Sequence, residues 1–165
     1  AQGVNLIWQG DPSNYSPETQ IPIVDAVLAQ QPDGLVLIPT DPTALQASVT
    51  KAVAAGIVVA NVDTRVGDLS DVLIFITGDN EDGGAKAAEA IANAIGYTDG
   101  ESYEVVIGLT SATATTNVAR KEGFEATIAA NYPGIEIVDV AYSESNPETE
   151  CVKPASLRSL RTGIF

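Results

Sequence analysis

The chain has 165 residues, 45% of them hydrophobic, with 22 acidic against 8 basic residues and a net charge of -14. That charge repels phosphate backbones and anionic headgroups, so neither nucleic acid nor a membrane surface is a partner. With no His and one Cys, neither the four N or S ligands of structural zinc nor a histidine triad can be assembled, and no metal or cofactor is expected.

In chain order, residues 4–8 form a short apolar run that reads as a strand, closed by the turn signal Gly10-Asp11-Pro12. Trp8 within it reads as core. Ser16-Pro17-Glu18 is a helix entry, and Ile21, Val24, Val27 and Leu28 follow at helical spacing. Pro22 is tolerated only near a first turn, which predicts a regular helix starting close to it. Residues 35–38 are the next strand, and Asp41-Pro42 then reads as a cap followed by proline at the first helical position. That helix carries Leu45, Val49 and Val53 and ends at Gly56. Residues 57–62 are a continuous, largely β-branched run, as in a parallel strand covered on both faces.

The pattern repeats. Residues 72–76 read as a strand, Gly83-Gly84 opens an alanine-rich helix that Gly96 closes, 105–109 is a strand, 116–130 a helix and 135–140 a strand. This alternation predicts an α/β fold with doubly wound parallel sheets and right-handed crossovers. Functional residues in such sheets gather beyond the carboxyl ends of the strands. All 22 acids lie within residues 1–150, whereas 151–165, including Cys151, contains none and three bases. That break marks 151–165 as an atypical tail. The chain starts at Ala1 and contains no Met, so the first residue is not a translation start.

Three clusters fall where the strand-end rule points. Asn61-Val62-Asp63-Thr64-Arg65 pairs a carboxylate acceptor with a guanidinium donor, suited to gripping two neighbouring hydroxyls. It reads equally as a solvated ion pair. Thr77-Gly78-Asp79-Asn80 offers fixed acceptors and donors ahead of Gly83-Gly84, or is ordinary turn and cap chemistry. Phosphate binding is excluded there: the loop lacks the Lys-Ser/Thr of a P-loop, and Asp79, Glu81 and Asp82 repel a pyrophosphate. Asn117 and Arg120 are three residues apart and share a helix face, directed into a cleft or into solvent.

The runs Asp33-Gly-Leu-Val-Leu-Ile-Pro-Thr-Asp-Pro42, Lys51-Ala-Val-Ala-Ala-Gly-Ile-Val-Val59, Val62-Asp63-Thr64, Gly78-Asp79-Asn80 with Gly83-Gly84, and Arg120 ahead of Gly123-Phe124 together resemble the ribose-binding-like type 1 periplasmic binding proteins over residues 4–142. The resemblance implies two Rossmann-like lobes closing on a small ligand. Residues 1–76 correspond to a partial first lobe lacking its opening strand and helix, and 77–150 to a partial second lobe. It implies ligand contacts at Asp63, Asp79, Asn80 and Arg120, with Asn117 as the alternative on the last helix. The family often places Arg directly after the aspartate; here Thr64 stands there and Arg65 follows.

The function implied is that of a solute-binding component of an ABC importer. It would hold a monosaccharide or polyol reversibly, without chemistry, and hand it to a membrane permease from the periplasm or cell exterior, with or without a lipid anchor. The alternative is the effector-binding domain of a LacI-like regulator. A signal or lipoprotein peptide upstream favours the first, a helix-turn-helix the second. An enzyme on this sheet would have to rely on Asp63 and Asp79 for acid–base work, since His, a placed thiol and a glycine fingerprint are all missing.

Overall fold

The computed structural model describes residues 3–143; the 151–165 tail with Cys151 lies outside them. The elements run α1 (Pro17–Leu28), β1 (Gly34–Leu37), α2 (Gln46–Ala54), β2 (Val58–Val62), β3 (Ile74–Ile76), α3 (Asn80–Ile95), β4 (Tyr103–Leu109), α4 (Thr115–Asn131) and β5 (Ile135–Tyr142). The chain divides into two compact units, with the boundary between Thr77 and Gly78.

In the first unit, β1, β2 and β3 form a parallel sheet in that order, with Leu37 opposite Asn61 and Val62 opposite Ile76. Helices α1 and α2 bring Val24, Leu28, Leu45, Val49 and Ala52 onto Leu37, Ile57 and Val59. Complete burial of one Leu such as Leu45 contributes about 1.5–3 kcal/mol. The strand over 57–62 is not covered on both faces as expected. Its burial alternates, with Val59 inside and Val58 51% exposed, because the helices that pack here lie on the Val59 face.

Two further expectations are corrected. Residues 4–8 form no strand, and Trp8 is 82% exposed rather than core. An apolar run becomes a strand only when a neighbour completes its ladder, and among the described residues β1 pairs only with β2. Helix α1 starts at Pro17 rather than near Pro22. Ser16 caps it, accepting from the Thr19 N–H at 3.4 Å, and Pro17 occupies the first position, where its missing N–H costs nothing. Pro22 therefore sits inside the helix and leaves one helical bond unmade.

The second unit pairs β4 with β5 in parallel, with a register shift between Val105 and Val106. Ala88, Ala92, Ile128 and Ile135 form its core. Tyr97 closes the core edge-on against Tyr132, centroids 5.2 Å apart. Gly96 ends α3 in the left-handed conformation, φ 68°. Two glycines set how α3 and α4 cross. A Cβ on Gly84 would strike the Arg120 carbonyl, and one on Gly123 would strike the Glu81 carbonyl. Among the described residues no helix is long and apolar enough to cross a membrane.

Candidate functional site

The first unit places its polar cluster at the carboxyl ends of β1 and β2. β2 stops at Val62, where the Asp63 N–H donates to the Ile76 carbonyl at 2.8 Å. The backbone then turns through a left-handed Asp63, φ 66°. Asp is among the few non-glycine residues that enter this region at modest cost. The turn presents Asp63 half-exposed and Arg65 exposed, with Thr64 completely buried between them.

Asn61 holds this turn from beneath. It is 0% exposed, accepts from the Val66 N–H at 2.9 Å and donates to the Thr64 carbonyl at 2.8 Å. Its amide also lies 3.4 Å from the Leu37 carbonyl on the neighbouring strand. A buried amide with both ends satisfied fixes the backbone on either side of Asp63 and Arg65. Asn61 was legible only as a polar residue inside an apolar run.

Gln20 does similar work at the end of β1. Its amide donates to the Ile38 carbonyl and its oxygen accepts from the Thr40 N–H, both at 2.7 Å. The side chain thereby imitates one step of a strand ladder beyond β1. No sequence signal marks it. Thr40 Oγ1, on the same stretch, is a buried hydroxyl without a hydrogen-bond partner among the described residues.

Downstream, the Asp68 carboxyl is held below its ordinary range, chiefly by hydrogen bonds from Ser70, with the Arg65 charge adding a smaller effect. Arg65 thus sits within electrostatic reach of Asp68. Asp41 caps the turn that leads into α2, accepting from the Thr43 and Ala44 N–H groups at 2.8 Å.

In the second unit Asp79 is the N-cap of α3, accepting from the Asp82 N–H at 3.0 Å, and Asn80 donates back to the Gly78 carbonyl at 2.9 Å. Glu81 and Asp82 follow in the first turn, where the helix dipole favours acids. The cap chemistry is therefore present at the predicted cluster. Gly84 serves the crossing with α4.

Asn117 and Arg120 occupy different environments. Asn117 is buried and donates to Thr110 Oγ1 at 2.8 Å, tethering the loop after β4, while the Arg120 side chain is exposed. A shallow cavity of about 170 Å³ lies here, bordered by Leu109, Ser111, Asn117, Val118, Lys121 and Tyr142. A larger one, about 430 Å³, lies between Ser102, Glu104, Pro133 and Glu136. That one is at the amino ends of β4 and β5, the wrong end of a parallel sheet for a ligand. No group of three or more His, Cys, Asp or Glu side chains suited to a metal occurs among the described residues.

Of the predicted residues, the structure brings Asp63 and Arg65 to one turn, Asp79 and Asn80 to one helix start, and Asn117 and Arg120 to the first half of α4.

Comparison with known proteins adds the following. A model of the periplasmic binding protein domain matches residues 1–153. An ABC transporter solute-binding protein from Agrobacterium vitis, bound with α-D-tagatopyranose, is 33% identical with a TM-score of 0.76, over 86% of this chain and 49% of that one. A second Agrobacterium vitis solute-binding protein, with bound D-fucose, is 27% identical with a TM-score of 0.75, over 85% and 47%. A carbohydrate transporter solute-binding protein from Agrobacterium radiobacter, in complex with D-arabinose, is 28% identical with a TM-score of 0.72, over 83% and 46%. The chain spans about half the length of these solved relatives. No curated protein matches it.

Proposed function

This chain belongs to the periplasmic binding protein domain family, and from that premise we propose that it is part of the solute-binding component of a bacterial ABC importer, holding a monosaccharide or related polyol. The solved relatives carry a ketohexose, a deoxyhexose and a pentose. Their shared chemistry is a ring of neighbouring hydroxyls, and that is the ligand class assigned to this protein.

The observation that carries the reading is Asp63. Its carboxylate stands at the carboxyl end of β2, half-exposed, on a left-handed turn locked by buried Asn61. An ionised carboxylate so placed accepts from two vicinal O–H groups, while an exposed guanidinium such as Arg65 donates to their oxygens. Asp79, Asn80, Asn117 and Arg120 are the proposed contacts from the second unit. The two units are read as parts of two lobes, 1–76 and 77–150, that close on the sugar without a bond being made or broken. The loaded protein then docks on a membrane permease from the periplasm or cell exterior.

Thermal melts of the complete protein that carries this chain, against pentoses, hexoses, polyols, amino acids and nucleotides, test the ligand class. A sugar at 100 times its Kd stabilises by about 2.7 kcal/mol through linkage. Stabilisation only by amino acids or nucleotides would overturn the sugar assignment, and turnover of a bound sugar would overturn the transport role.

A further inference from the structure

The turn that carries Asp63 and Arg65 is also tied to the entrance of α2. The Gly67 N–H donates to the Pro42 carbonyl at 2.9 Å, and the Asp68 N–H donates to Gln46 Oε1 at 2.8 Å. Both acceptors stand on a fixed frame. Asp41 caps the approach to α2, Gln20 holds the stretch from Ile38 to Thr40, and Leu45 and Val49 seat the start of the helix in the core. The turn is thus fastened on both sides of Arg65. Buried Asn61 pins the near side, at the Thr64 carbonyl and the Val66 N–H. On the far side Gly67 and Asp68 are exposed, and the α2 entrance holds them.

We propose that Gln46 is a positioning residue for Arg65, holding Asp68 so that the far side of the turn stays closed on α2 and the exposed guanidinium stays where it meets the ligand. The role rests on the sugar-binding assignment of the Asp63–Arg65 turn. Its physical basis is that this bond contributes differently to stability and to order. An exposed N–H that loses its partner turns to water, so the bond adds little to folding. Val66 is 0% exposed and stays in the core either way. Order is another matter, because exposed loop segments open locally at low free-energy cost. A turn that opens before binding must be ordered again when the ligand arrives, and affinity falls accordingly. Gln46 and Asp68 are 22 residues apart, one on a helix and one on a loop, so no sequence spacing marks the pair.

The test compares Gln46→Met, Gln46→Glu, Arg65→Ala and the Gln46→Met/Arg65→Ala pair in the complete protein, by calorimetry with the sugar that stabilises the wild type most. Methionine keeps the length and helix propensity of glutamine but accepts only weakly, whereas glutamate keeps an oxygen at the same reach. Gln46→Met weakens affinity roughly 5-fold, the scale of one hydrogen bond, at an unchanged melting temperature. Gln46→Glu binds as the wild type does, and in the Arg65→Ala background Gln46→Met loses nothing further. Unchanged affinity in Gln46→Met, an equal loss in Gln46→Glu, a loss that follows melting temperature, or an undiminished loss without Arg65 overturns the proposal.

A second measurement reads the tie without any sugar. Amide hydrogen exchange is followed by NMR at Val66, Gly67 and Asp68 in the wild type and in Gln46→Met. Asp68 loses its own partner and exchanges faster in any case. Val66 and Gly67 bond to Asn61 and Pro42 instead, so faster exchange of their amides reports a loosened turn. Exchange that changes at Asp68 alone overturns the positioning role even if sugars bind. Faster exchange at all three in a protein that binds no sugar upholds the tie and sinks the sugar-binding role of the turn.

Discussion

Gly84 and Gly123 meet at one crossing, each lying against the other helix's backbone: Gly84 on the Arg120 carbonyl and Gly123 on the Glu81 carbonyl. Two opposing effects bear on an alanine at either position. In a helix interior Gly→Ala normally stabilises by about 1 kcal/mol through propensity. A methyl driven into a carbonyl that cannot retreat costs about 1–3 kcal/mol or more. Both contacts involve backbone rather than a flexible side chain, so steric cost wins. Gly84→Ala and Gly123→Ala are each predicted to destabilise by about 2 kcal/mol net of the propensity gain. Gly83→Ala is the control, because a Cβ there meets nothing within 4 Å, and it should be neutral or stabilising. Urea denaturation followed by far-UV circular dichroism reads all three.

Asn61 predicts a second asymmetry. Asn61→Ala leaves the Val66 N–H and the Thr64 carbonyl without their partner in a buried place, and Asn61→Asp keeps an acceptor for Val66 but sets a carboxylate against the Thr64 carbonyl. An unsatisfied buried group costs about 1–3 kcal/mol, more for a charge. Both variants therefore lose stability, and Asn61→Asp recovers part of its loss as pH falls and the carboxyl regains a donor. A urea midpoint for Asn61→Asp that does not rise relative to the wild type between neutral and mildly acid pH would refute the assigned roles.

How much of this was legible in the sequence depends on the range of the interaction involved. Local signals were read correctly where one residue decides the backbone: Gly96 and Gly56 both take positive φ at helix ends. The start of α3 was misplaced: it begins at Asn80 behind the Asp79 cap, the plainer of the two readings of that cluster, and not at Gly83-Gly84. The α/β alternation survived because periodicity is a property of each segment alone. Residues 4–8 failed because an apolar run says nothing of whether a neighbouring strand is present. Pro22 misled because the strength of the Ser16–Pro17 start outweighed one lost bond. Within the site, Asp63 was singled out, but the side chains that hold it were not. Gln20 reaches Ile38 and Thr40, and Tyr15 reaches Pro39, across whole elements. Side-chain to backbone bonds of that span follow from the fold and leave no periodic trace.

The raised Tyr15 titration has a stability consequence with a definite sign. Its folded value lies above the ordinary tyrosine value of about 10, chiefly through burial. The folded state thus holds this proton more tightly than the unfolded chain does. The stabilisation is fully present below the unfolded value and is lost as pH rises through the folded one. The wild type is therefore predicted to lose stability relative to Tyr15→Phe from about pH 10 upward. Parallel denaturation series of the two proteins, from neutral to strongly alkaline pH, check this. Curves that stay parallel throughout would contradict it.

Asp63 combines a conformational cost with the proposed binding role, and substitutions separate the two. Its φ of 66° lies in the left-handed region, which costs a residue with a Cβ about 1–2 kcal/mol and glycine almost nothing. Neither Asp63→Gly nor Asp63→Ala retains the carboxylate, so both lose the charge-assisted bonds to a sugar. Such bonds contribute about 1.5–3 kcal/mol, which corresponds to a loss of affinity of roughly 10-fold to 100-fold. In stability the two diverge: Asp63→Gly is predicted to exceed Asp63→Ala by about 1 kcal/mol despite glycine's larger unfolded-state entropy. Calorimetric titration with the preferred sugar and urea midpoints on the same preparations give both quantities. Equal midpoints would mean that the left-handed turn carries no strain for a Cβ. Retained affinity in either variant would remove Asp63 from the site.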